Sequence, residues 1–163
     1  MGPTFAPELL DLLESRAIGG WIGSVWREVL GDTDPLRPNQ RGARWNPPAV
    51  EALYCSLHAL TAAAEVDFLV SLQPVPVRKR GSVQLEVELT GVLDLSDLSP
   101  LASVGIERRE LLGPNIDASR LIGHAVSWLG YAGLLVPSAR HSGTNLVIYT
   151  NRMAPTDRVD VAR

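Results

Sequence analysis

Apolar residues recur along this chain with two different periods, and the switches between them mark out its elements. Leu9, Leu10, Leu12 and Leu13, interrupted by Asp11 and Glu14 and preceded by Pro7, have helical spacing and predict a short helix over 7–15. Ile22 to Val29 places β-branched and aromatic residues near alternate positions and stops at Gly31-Asp32, a strand and turn that would set Arg27 on the face opposite Trp26. Ala52 to Leu57 reads as a short buried strand. Ala59 to Leu72 then takes helical spacing, with Leu60, Ala64 and Phe68 at four-residue steps and Glu65 beside that stripe, closed off by Pro74 and Pro76. Arg78 to Gly81 reads as a solvated turn.

The second half opens on the clearest strand, where Val83, Leu85, Val87 and Leu89 alternate with Gln84, Glu86, Glu88 and Thr90, the pattern of an antiparallel strand with one wet face. Leu93 to Leu101 ends in a turn or short helix. Ser119 to Tyr131 carries Leu121, Ile122, Ala125, Trp128 and Leu129 on one stripe, with Asp117 as its expected cap. Leu134–Val136 and Asn145–Tyr149 are the last expected strands, joined by a loop over 137–143, and the polar tail 151–163 is expected to fray. Helices interspersed with short, mainly antiparallel strands predict one α+β domain spanning 1–163, with its core over about 21–150.

One stretch has no period. Asp32 to Pro48 is rich in Pro, Asn, Asp, Gly and Arg, and at about seventeen residues it exceeds an ordinary connection. Loops of this length are commonly binding segments, and Trp45 near its end favours one that is ordered and docked.

Composition narrows the function. Hydrophobic residues make up 45% and charged residues 20%, which fits a folding globular chain. A net charge of −3 gives no basic surface for nucleic acid. Lys79 is the single lysine, so the cations are otherwise arginines, suited to forked contacts with phosphate and carboxylate. Cys55 is the single cysteine and excludes an internal disulfide, in keeping with a reducing cytoplasm. Glu8, Asp11 and Glu14 break the N-terminal apolar pattern a secretion signal would need, and no apolar run reaches the ~18–20 residues that span a bilayer.

Phosphate-loop, zinc-protease and nucleophile-elbow signatures are absent, and His58, His124 and His141 lack metal-ligand spacing, so no metal is expected. Polar residues at the ends of the predicted elements remain: Arg44 and Trp45 in the long loop, Tyr54 on a strand, Glu65 on a helix, Ser138 and Arg140 in the last loop. Taken singly, each also has an ordinary structural role.

Three ordered stretches give these residues a common meaning. Gly42-Ala43-Arg44-Trp45-Asn46-Pro47-Pro48 with Ala52-Leu53-Tyr54-Cys55-Ser56, then Ala62-Ala63-Ala64-Glu65-Val66, then Gly133 to Arg140 with Asn145 to Tyr149, resemble the Arg, Glu and Ser blocks of the RES-domain family of bacterial toxin–antitoxin systems. Val25-Trp26-Arg27 resembles the family's first strand. Ala43 stands where many relatives have a second glycine.

The resemblance implies an ADP-ribosyltransferase-like fold and an enzyme. Its substrate would be NAD+, cut between nicotinamide and ribose, with the ADP-ribosyl group passed to protein, phosphate or water. It implies Arg44, Tyr54, Glu65 and Ser138 as catalytic residues, with Arg27 and Asn46 joining Arg44, Tyr54 and Ser138 in holding NAD+. It also implies a helical DNA-binding antitoxin as partner. Chemistry asks for such groups: arginine forks for the pyrophosphate, an aromatic face for nicotinamide, and a carboxylate for the cationic ribosyl transition state. Two alternatives remain: a non-catalytic nucleotide- or protein-binding module on the same fold, and a hydrolase in which Ser138 would need His141 or His124 within hydrogen-bond reach.

Overall fold

The Val83–Leu89 alternation lies within the strand that organises the whole sheet in the computed structural model, which describes residues 2–74 and 79–163. That strand, β3 (Arg80–Asp94), pairs along its length with β1 (Ala17–Leu30), and near its end with β4 (Gly133–Pro137) in parallel. β4 pairs with β5 (Thr144–Ile148), β5 with β2 (Leu53–Ser56), and β2 returns to β1 where Trp26 faces Ser56. The order β1-β2-β5-β4-β3 with a β1–β3 pairing closes five strands into a ring. Among the described residues only the β3–β4 pairing is parallel, so the expected α+β architecture with mainly antiparallel strands is what the chain forms.

Strand alternation sorts the side chains into two cores. Val25, Leu53, Cys55, Leu85, Val87, Leu135, Leu146 and Ile148 form one of them. On the opposite face Leu134, Val136, Val147 and Tyr149 pack with α1 (Pro7–Ser15) through Leu9 and Leu13, and with α4 (Asp117–Trp128) through Ile122, Ala125 and Val126. Leu111 of α3 (Arg108–Leu112) completes this second core. α2 (Ala59–Ser71) lies against β1 and β2, burying Thr61, Ala62 and Val66. Its Leu60, Phe68 and Leu69 stay largely exposed, as does Leu72 just beyond it, so the Leu60–Phe68 stripe is not the buried face.

Several boundaries differ from the sequence reading. Arg80 and Gly81 open β3 rather than form a turn, because Arg80 is held by ion pairs to Glu28 and Asp67 and by the Ala63 carbonyl; Arg78, like Pro76, lies outside the described residues. The tail does not fray. Thr150–Arg152 forms a 3-10 turn and β6 (Arg158–Val161) pairs with Leu85–Glu88, while buried Asp157 accepts the Thr90 and Ala154 amides. The cap of α4 is Ile116, not Asp117, which is instead the first helical residue.

The long loop is ordered, as its tryptophan suggested. Trp45 is buried, and the loop lies so close to α4 that a Cβ on Gly123 would stand 1.7 Å from the Trp45 carbonyl oxygen. A helix carries no Cβ there for a reason: the loop backbone occupies the space.

Candidate active site

Four elements converge on one carboxylate. Glu65 projects from the second turn of α2, and its Oε1 accepts two hydrogen bonds, from Ser138 Oγ at 2.5 Å and from Asn145 Nδ2 at 2.9 Å. Asn145 is oriented in turn by Ser56 Oγ, which donates to its Oδ1 at 2.7 Å across the β2–β5 pairing. Ser138 Oγ also accepts the backbone N–H groups of Arg140 and His141, so its proton is directed at Glu65. The network uses one carboxylate oxygen. Among the described residues Glu65 Oε2 has no partner, and it is not buried, since Arg27 Nε is the only buried, unpartnered side-chain nitrogen or oxygen among them. A carboxylate fixed through one oxygen and open through the other is pre-oriented toward a cationic centre.

Arg44 borders this cluster from the long loop. Its Nη1 donates to the carbonyls of Leu111 and Gly113, both at 2.8 Å, which ties the loop to the C-terminal end of α3. Burial lowers its pKa, and so does the positive charge of Arg140, with Glu65 and Tyr54 opposing. Those influences place Arg44, Arg140, Glu65 and Tyr54 in one electrostatic neighbourhood. Arg140 lies over the ring of Phe68, its Cζ 3.3 Å from the ring centroid.

Tyr54, on β2, turns its hydroxyl to the loop. It donates to Asn46 Oδ1 at 2.5 Å and accepts the Trp45 N–H at 2.9 Å. Burial raises its pKa well above the ordinary phenol value, so it stays a neutral donor. Asn46 is wholly buried and spends its amide on the carbonyls of Val50 and Asn39 and on Asn39 Oδ1. An open depression of about 570 Å³ is lined by Glu107, Arg108, Arg109, Leu112 and Gly113; it meets the cluster only through the Gly113 carbonyl that Arg44 binds, and its Glu107 and Arg109 are already paired with each other. The Glu65 cluster is the better candidate because it holds unneutralised charge and an oriented carboxylate together.

Residues 24–162 match the family model described as the RES domain. The chain belongs to the RES-domain family. It is 26% identical over 156 residues to the NAD(+) phosphorylase MbcT of Mycobacterium tuberculosis and of Mycobacterium bovis, covering 90% of this chain and 84% of theirs. The solved M. tuberculosis MbcT–MbcA toxin–antitoxin complex contains a chain with the same fold, with a TM-score of 0.78 and 25% identity over 97% of this chain and 91% of that one.

Of the residues the RES resemblance implies, Ser138 is hydrogen-bonded to Glu65, and Arg44 and Tyr54 lie within electrostatic reach of that carboxylate. Arg27 does not join them. Its neighbour Trp26 pairs with Ser56, and its partner in β3 is Val83, so Arg27 lies on the face of Val25 and Cys55, opposite the Tyr54 side chain. It donates to the Tyr54 backbone carbonyl at 2.6 Å, and burial lowers its pKa. Asn46 has no exposed surface to offer a substrate and works by fixing Tyr54 and the loop. The Ser138 hydrolase arrangement is not formed: Ser138 points its proton at Glu65, His141 Nδ1 meets Thr61 Oγ1, and His124 packs edge-on against Phe5.

Sequence reasoning missed Ser56 and Asn145 as parts of the site. Both sit in strands where a small polar residue looks like ordinary alternation, yet each is buried and facing α2. Polar residues at inward positions of otherwise apolar strands were the available signal. Arg120, which holds the loop through the Ala43 carbonyl at 3.0 Å, carried none.

Proposed function

We propose that this RES-domain protein is an NAD+-cleaving toxin that breaks the bond between nicotinamide and ribose and passes the ADP-ribosyl group to inorganic phosphate. The observation that carries this reading is the Glu65 carboxylate, held at Oε1 by Ser138 and Asn145, open at Oε2, and flanked by two arginines. The name of the mycobacterial relatives, NAD(+) phosphorylase, supports phosphate as the acceptor.

In this mechanism the C–N bond breaks with its electron pair going to the nicotinamide nitrogen, which neutralises the ring. The ribosyl carbon develops positive charge opposite Glu65 Oε2. A phosphate oxygen supplies the pair for the new C–O bond, and the phosphate proton is released to solvent. The products are nicotinamide and ADP-ribose 1″-phosphate. Glu65 stabilises charge that exists only in the transition state, the form of interaction that raises rate rather than affinity. Arg44 would hold the pyrophosphate with the guanidinium nitrogens that its α3 contacts leave free, and Tyr54 would offer a ring face to nicotinamide. Ser138 orients Glu65 and does not attack.

The partner we propose is an antitoxin, because the solved relative was crystallised as a toxin–antitoxin complex. Leu60, Leu69 and Leu72, exposed on and just beyond the helix that carries Glu65, offer apolar contact. The test is chromatography of NAD+ incubated with purified protein and phosphate. Nicotinamide and ADP-ribose 1″-phosphate in equal amounts support the reading. Folded protein that leaves NAD+ intact with phosphate, water and cell lysate contradicts it, and labelled protein in lysate would replace phosphate by a protein acceptor.

A further inference from the structure

We propose that Arg140, laid over the ring of Phe68 at the edge of the Glu65 cluster, binds the acceptor oxyanion, a free phosphate arriving from solvent. This inference rests on the NAD+-cleaving reading and assigns its acceptor subsite. Phe68 stands three residues after Glu65 on α2, hence on the same side of the helix, and holds the Arg140 guanidinium 3.3 Å from its ring centroid. The Arg140 backbone N–H donates to Ser138 Oγ at 3.0 Å, the same hydroxyl that binds Glu65. The cation and the carboxylate are therefore set in place by one strand end and one helix face.

Charge balance points to an anion. Among the described residues neither Arg44 nor Arg140 has a carboxylate within ion-pair distance. Yet the two feel each other, since repulsion from Arg140 follows burial as a cause of the lowered Arg44 pKa. An anion between like charges relieves both. An anionic acceptor approaching a carbon beside Glu65 Oε2 would also be repelled unless a cation accompanies it.

The two arginines differ in freedom. Arg44 is partly buried and fastened through Nη1 to two carbonyls, which suits the fixed pyrophosphate of a bound donor. Arg140 is exposed and its guanidinium has no hydrogen-bond partner among the described residues, which suits a mobile ion. Donor pyrophosphate and free phosphate present the same phosphoryl oxygens, so the experiment must separate them.

Nicotinamide release is measured at varied NAD+ and varied inorganic phosphate for the wild type, Arg140→Ala, Arg140→Lys and Phe68→Leu, beside calorimetric titration of inorganic phosphate into the NAD+-free proteins. Arg140→Ala is expected to raise the KM for phosphate at least ten-fold more than the KM for NAD+, with Arg140→Lys recovering part and Phe68→Leu intermediate. Phosphate binding by calorimetry should weaken at least ten-fold in Arg140→Ala. A rise confined to the KM for NAD+ would move Arg140 to the donor pyrophosphate and overturn the assignment, as would unchanged values of both. If the wild type releases no nicotinamide, the function reading falls, and calorimetry alone decides the subsite: equal or absent phosphate binding in wild type and Arg140→Ala ends it.

Discussion

Arg44 illustrates how one side chain can carry two loads. Its Nη1 closes the end of α3, and its charge belongs to the Glu65 cluster. Arg44→Ala is therefore expected to abolish toxicity and also to cost about 1–3 kcal/mol of stability, because two partly buried carbonyls lose a charged donor. Chemical denaturation of the variant beside a growth assay separates the two effects. Tyr54 and Tyr149 give a pH prediction. Burial raises both phenols above the usual value of about 10, so the folded chain holds these protons more tightly than the unfolded one. Their contribution to stability is whole below about pH 10 and is lost as pH rises through the raised values. Phenolate absorbance near 295 nm from these two residues should thus appear together with loss of circular dichroism; full ionisation in a folded protein would contradict the burial argument. At this scale the sequence was legible for Arg44, Glu65 and Ser138, whose types and order carry the family pattern. It was silent on Asn145 and Ser56, whose roles depend on which face of β2 and β5 looks toward α2.

Among the elements, the contact between the long loop and α4 is the most exacting. A methyl group at Gly123 would meet the Trp45 carbonyl oxygen at 1.7 Å and the Tyr149 hydroxyl at 2.8 Å, and that hydroxyl itself donates to the same carbonyl. Gly123→Ala must displace the loop that bears Arg44. It is expected to cost at least the ~1–3 kcal/mol of an overpacked core and to lower activity with it, measurable by thermal unfolding and nicotinamide release on the same sample. Normal values of both would mean that the loop can shift freely. β6 makes a second prediction: removing residues 157–163 should lower the melting temperature, since the segment pairs with β3 and Asp157 caps two backbone amides. Long periodic elements such as α4 and the middle of β3 were legible because their stripes are many residues deep. β6 was not, because four residues with Val159 and Val161 alternating against charges differ little from a polar tail until β3 presents an edge.

At the scale of the whole molecule, a ring of strands with an apolar core on each face leaves a border where α2, β2, β5 and the loop after β4 meet. The polar network that fixes Glu65 occupies that border, where a buried hydroxyl and amide are stable only because each has a partner. The proposed NAD+ cleavage depends on the open oxygen of this carboxylate. Glu65→Gln keeps an acceptor for Ser138 and Asn145 and removes the charge, so its fold should survive and its chemistry should not. The decisive measurement is single-turnover nicotinamide release by wild type and Glu65→Gln at saturating NAD+ and phosphate. A fall of about 10²–10³-fold in Glu65→Gln with an unchanged melting temperature is expected. Equal rates in the two folded proteins would contradict it.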